Sequence, residues 1–193
     1  MVIWKRKIYR IVIGSLFPLS YLICGNIFLP LFLASFFLTL VLALEYERFA
    51  HPAVWSFLLG RFGVFKKATG SFIGETHFMI ACFFALLVFN RPVAIAGLFF
   101  LTFGDAGSAL AGTWWGNTTL FGNKTVEGLI GGLASNALVS LCLSFVLPLH
   151  GLTLISGFLL AGILESLPLK LDDNLTVGLI PGFIMSLLEL LFS

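Results

Sequence analysis

Apolar runs of about 17 to 22 residues, each long enough to cross roughly 30 Å of hydrocarbon as an α-helix, recur along almost the whole of this 193-residue chain. A backbone in hydrocarbon has no water to bond, which restricts such runs to helices or closed barrels; their length and lack of strict alternation select helices. Little sequence is left over for anything else. The chain is 59% hydrophobic and only 10% charged, with a mean hydropathy of +1.07, values foreign to a water-soluble domain of this size. It reads as one integral membrane domain over residues 1–193, an all-α polytopic transmembrane bundle.

Seven helices are predicted: Ile8–Cys24, Ile27–Leu44, Phe72–Phe89, Pro92–Ala111, Gly128–Leu147, Gly151–Leu167 and Leu175–Phe192. The fourth is crowded with small residues from Gly104 to Gly112, which permit close helix–helix approach and are expected to let the helix break near Asp105. Loop charge sets the orientation, because cytosolic segments retain Lys and Arg. With the N-terminus inside, Lys5, Arg6, Lys7, Arg10, Arg48, Arg61, Lys66, Lys67, Lys124 and Lys170 are cytosolic and Arg91 alone is outside. The inner loops are then residues 45–71, 113–127 and 168–174, and the C-terminus lies outside. Met1–Arg10 leads into an apolar run as a signal peptide would, yet Pro18, Tyr21 and the immediate second run argue for a retained helix.

Other readings fall away on composition. A net charge of +2 without a basic stripe excludes nucleic acid as a partner. Cys24, Cys82 and Cys142 lie inside apolar runs with no CxxC spacing and are assigned to packing. There is no repeat with a period of about 20 to 50 residues and no inverted pair of broken helices of the transporter kind. Trp4, Trp55, Trp114 and Trp115 fall near helix ends, as an interfacial belt requires. Asn117, Asn123 and Asn174 begin glycosylation sequons, but on the cytosolic side.

The polar residues gather in two places. Gly104-Asp105 is followed by Gly112, Gly116, Gly122 and then Asn123-Lys124-Thr125-Val126-Glu127-Gly128. Glycines let backbone amides approach an anion, lysine supplies a point charge, and a helix beginning near Gly128 adds its dipole. The pattern is not a Walker A loop, because Asn123 stands where that loop needs glycine. The second cluster is Glu165, Lys170, Asp172, Asp173 and Asn174. Adjacent carboxylates are hard oxygen ligands suited to Mg²⁺ shared with nucleotide phosphates. Glu165, inside an apolar helix, requires a partner such as a metal, Lys124 or Lys170. Glu75 suits the start of the third helix as an N-terminal charge, with site membership a secondary expectation, and His77 beside it is an interfacial contact.

Taken together, Gly104-Asp105, the Asn-Lys-Thr-x-Glu-Gly of residues 123–128, Glu165, and Asp172-Asp173-Asn174-Leu175-Thr176-Val177 resemble the CTP-dependent lipid-alcohol kinases, which act on dolichol, phytol and diacylglycerol. The resemblance is close over residues 104–182 and loose from Arg6 onward. Its first half is also similar to phosphatidate cytidylyltransferase; the Asp-Asp-Asn-Leu-Thr-Val element leans toward the kinases. Two positions depart from the kinase pattern: Arg10 stands where His is usual after a basic pair, and Gly178 where Pro is usual.

The resemblance implies transfer of the γ-phosphoryl of CTP to the hydroxyl of a membrane lipid alcohol at the cytosolic face. Asp105, Asp172 and Asp173 would hold Mg²⁺, and Lys124 would bind phosphate oxygens. Gly104, Asn123, Thr125, Gly128 and Asn174 would shape the nucleotide site, and Glu127 or Asp173 would orient or deprotonate the alcohol. The partners are CTP, the lipid alcohol and the bilayer, and a homodimer is compatible with all of this. The alternatives are a cytidylyltransferase making a CDP-lipid and, from another class, a non-enzymatic transporter or scaffold.

Overall fold

The computed structural model describes residues 2–51, 72–169 and 171–192, with residues 2–6 given by their backbone alone. Seven helices make up most of them: α1 (Val2–Cys24), α2 (Phe28–Ala50), α3 (Gly74–Val88), α4 (Arg91–Trp115), α5 (Val126–Ser144), α6 (Gly151–Ser166) and α7 (Asp173–Phe192). Between α4 and α5 lies a short antiparallel ribbon, β1 (Thr119–Phe121) and β2 (Lys124–Thr125). Helices α1, α2, α4, α5 and α7 are long and apolar enough to cross a membrane, while α3 and α6 are apolar helices of 15 and 16 residues. The all-α bundle read from the apolar runs is therefore the fold. Arg61, Lys66, Lys67, Lys170 and Trp55 lie outside the described residues, as do the side chains of Trp4, Lys5 and Arg6.

Helix α4 is the axis. It packs against α1, α3, α5, α6 and α7, and its residues Ile95, Leu98, Phe100 and Leu101 are fully buried. The outer helices turn bulky apolar side chains outward, among them Phe28 and Phe32 on α2, Phe145 just after α5 and Leu190 on α7. An apolar exterior of this extent suits lipid and not water.

Three expectations about the chain path are corrected. First, α4 does not break near Asp105; it runs unbroken to Trp115. Its small residues serve approach to α5: a Cβ on Gly107 would lie 2.6 Å from the Ser135 Cβ and 2.7 Å from the Gly131 carbonyl oxygen. Close packing is what glycine contributes in a membrane helix, and it leaves the helical bonds intact. Second, α2 continues through residues read as loop. Glu45 and Arg48 are buried and joined by a 2.6 Å ion pair. The same carboxylate accepts from Ile73 N at 2.7 Å and Thr76 Oγ1 at 2.8 Å, so α2 caps the start of α3. Third, residues 119–125 are a ribbon where a plain loop was expected. Gly122, at φ +53°, supplies the left-handed turn that a side chain would oppose.

Candidate functional site

The ribbon fixes the first functional group. Phe121 pairs with Lys124 across the Gly122-Asn123 turn, and Val126 N donates to Thr118 O at 2.9 Å, seating the ribbon on the first turn of α5. Thr125 is the N-cap of α5, its Oγ1 accepting from Gly128 N at 3.1 Å. Lys124 is thereby held at the mouth of the bundle. Its Nζ donates to Glu165 Oε1 at 2.8 Å and Asp173 Oδ2 at 3.1 Å, so the partner that Glu165 requires is Lys124. Burial disfavours the ammonium, but the two carboxylates outweigh it and hold the Lys124 pKa above its ordinary value. Lys124 is a cation at neutral pH.

The second group forms at the start of α7. Asp172 Oδ1 accepts from Asn174 N at 3.0 Å, an N-cap geometry that turns the chain into the helix. Its Oδ2 lies 3.4 Å from His77 Nδ1 on α3. The Asn174 amide donates to Asp172 Oδ1 at 2.7 Å and to Asp173 Oδ1 at 3.3 Å.

The third group comes from α1 and α4. Asp105 receives Lys7 Nζ at 2.6 Å on Oδ1 and Arg10 NH1 at 3.1 Å on Oδ2. Arg10 NH1 also donates to Asn174 Oδ1 at 3.2 Å, which ties this group to the α7 group.

All three groups line one cavity of about 530 Å³, open at the end of the bundle. It draws together Asp105 from α4, Lys124 from the ribbon, Glu165 from α6, and Asp172 and Asp173 from the head of α7. Asn123, Thr125, Gly128 and Asn174 line it as well. Three of the residues singled out in the sequence lie elsewhere. Gly104 faces α5, where a Cβ would meet Asn136 Nδ2 at 2.6 Å. Glu127 is at the surface, its carboxylate accepting from Thr118 N at 3.1 and 3.2 Å and bracing the ribbon. Glu75 is buried beneath the cavity, 3.8 Å from Arg10. Sequence reasoning missed Lys7 and Arg10, whose spacing of three along one helix was the available signal.

The described lining carries three cations, Lys7, Arg10 and Lys124, against four carboxylates. Each cation is already matched by a carboxylate, so a polyphosphate entering alone would meet a lining with no surplus positive charge. Among the described residues no three His, Cys, Asp or Glu side chains cluster as a metal cage. Magnesium seldom uses such a cage; it takes one or two carboxylates with phosphate oxygens and water. Asp172 and Asp173, with side chains 26% and 40% exposed at the cavity, are a donor set that fits such a shared ion. No protein-family model matches the chain, and no curated protein or solved structure matches it significantly.

Proposed function

We propose that this protein is a CTP-dependent kinase that phosphorylates the hydroxyl of a membrane lipid alcohol at the cytosolic face. The observation that carries the reading is the meeting of Lys124 with Glu165 and Asp173, beside Asp105 and Asp172, in one cavity at the end of an apolar bundle. Phosphoryl transfer asks a protein mainly for position and charge: a cation for the phosphate oxygens and carboxylates for a metal. Lys124 binds phosphate oxygens, and Asp172 and Asp173, with Asp105 once it leaves its present partners, are the residues that would hold Mg²⁺. The ion, when bound, offsets phosphate charge in a lining that has none to spare. Asn123, Thr125 and Gly128 border the phosphates, and the apolar flank of the bundle gives a lipid hydroxyl access from the inner leaflet. The attacking oxygen bonds to the γ-phosphorus, the bond to the β-phosphate oxygen breaks, CDP leaves, and the hydroxyl proton passes to solvent or a cavity carboxylate.

On this reading each of the seven described helices is a membrane pass, five of them long and apolar enough to cross by length and composition. Cavity residues occupy the N-terminal ends of α1, α5 and α7 and the C-terminal halves of α4 and α6, the alternation that successive antiparallel passes require. Arg91 is at the far end, donating to Leu22 O at 3.0 Å. This asymmetry supports a cytosolic cavity under the positive-inside rule. It also disfavours a transporter, whose charges would face one another near mid-membrane.

The test uses purified protein with γ- and α-labelled CTP, magnesium, and polyprenols, phytol and diacylglycerol in turn. The reading expects γ-label in one lipid class, release of CDP, and loss of transfer on chelation. Release of pyrophosphate with α-label in the lipid would assign a cytidylyltransferase instead, and no label in any lipid would refute both.

A further inference from the structure

Two cations in the cavity wall have no part in the reading above. Lys7 and Arg10 lie one turn apart on α1, and both bond Asp105, one on each carboxylate oxygen, while Arg10 also donates to Asn174 and lies 3.8 Å from the buried Glu75. Two cations on two oxygens of a single anion is also how paired basic side chains hold a phosphate. The arrangement differs from a buried strut between helices in two respects. Asp105, Lys7 and Arg10 all border the open cavity, with 12%, 19% and 9% of their side chains exposed. Arg10 also keeps donor capacity in reserve: its Nε is buried without a hydrogen-bond partner among the described residues. A guanidinium that has shed its water and left a donor idle is costly unless something else bonds it.

We propose that Lys7 and Arg10 are phosphate-binding residues whose place Asp105 holds as an internal substitute, and that a phosphate group binds them by displacing the Asp105 carboxylate. Displacement releases Asp105 toward the cavity, where a divalent cation arriving with the phosphate can take it. The two ligands then favour each other, because each removes the partner that blocks the other's site. The inference rests on the kinase reading for its ligand class, a polyphosphate or a lipid phosphate, and adds two residues and an exchange to it.

Calorimetric titration of the full-length protein in detergent with inorganic pyrophosphate, first in EDTA and then in magnesium, tests it without turnover. Asp105→Asn removes the competing charge and keeps the shape. It should bind metal-free pyrophosphate about tenfold more tightly than wild type, close to 1.4 kcal/mol, and lose most of the enhancement that magnesium gives. A purely structural ion pair predicts the opposite, weaker binding together with a lower melting temperature. Unchanged or weaker binding by a folded Asp105→Asn protein overturns the proposal. Should that variant not fold, Lys7→Met, altering the most exposed member of the three, should weaken magnesium–pyrophosphate binding about tenfold in a protein that still unfolds cooperatively; unchanged affinity overturns the proposal equally. Competition by CTP assigns the phosphate to the nucleotide, and competition by a polyprenyl monophosphate assigns it to the lipid. Failure of the kinase reading looks different: the exchange is present in the titrations while no lipid is labelled from CTP.

Discussion

Replacing Lys124 by alanine removes an ammonium that two carboxylates share, and the two do not suffer equally. Asp173 has 40% of its side chain exposed and can be rehydrated at little cost, whereas Glu165, at 7%, is stranded. Breaking a fully buried pair by deleting one partner costs about 3–5 kcal/mol. Lys124 is itself 34% exposed, so water already screens this pair and the expected loss is smaller, about 1–2 kcal/mol. Because that loss belongs to Glu165, adding Glu165→Gln should restore most of it: the amide keeps the volume and carries no charge. Phosphoryl transfer should follow a different course. Lys124→Ala should lower it about 100- to 1,000-fold, the usual cost of deleting a group that stabilises developing charge, and Glu165→Gln should not bring it back. The two readouts are thermal unfolding in detergent, followed by tryptophan fluorescence, and γ-label transfer from CTP. A double variant no more stable than Lys124→Ala would show that Glu165 is not the stranded group. A double variant that regains transfer would show that Lys124 is only a counter-ion.

Three further outcomes are expected. Gly107→Ala should destabilise the α4–α5 contact by about 1–3 kcal/mol through overpacking, while Gly151→Ala, where a Cβ meets nothing within 4 Å, should leave the unfolding temperature unchanged; equal effects would refute the packing account. Glu45→Ala breaks a buried ion pair and strips the cap from α3, so it should cost about 3–5 kcal/mol and expose the Ile73 amide to hydrogen exchange; retained protection there would show that α3 starts without its help. An impermeant maleimide should reach Asn117→Cys beside the ribbon only from the cytosolic side and native Cys24, exposed at the end of α1, only from the opposite side; labelling of both from one side would refute the alternating passage of the helices.

The helices were legible because hydrocarbon leaves an apolar run of that length few alternatives. Their ends were harder. Glu45-Tyr46-Glu47-Arg48 reads as loop on charge alone, and nothing local shows that two of those charges satisfy each other and the head of α3. The ribbon leaves a signal in Gly122-Asn123, a pair typical of a tight reversal, but the glycines and lysine around it equally fit a phosphate loop. Glu127 is similar: Thr125 followed by an acid in the first turn is a helix-start signature, and the structure uses Glu127 to brace the ribbon. The gathering of Asp105 with residues 172 and 173 around one cavity is a matter of tertiary packing that no periodicity encodes. Lys7 and Arg10 are hidden as cavity residues in the sequence because an inside-positive N-terminus accounts for their charge equally well.

The side chain of Asn174 faces a guanidinium with its oxygen and three acceptors with its nitrogen: Asp172, Asp173 and the Gly74 carbonyl. Its two ends are chemically opposite, and each is matched to what stands before it. An aspartate here would repel its acidic neighbours, a leucine would silence both ends, and a glutamine would overshoot by a methylene. The amide of Asn174 fits both sets of partners at once, and a neutral residue with no charge to offer links the charged ones around it.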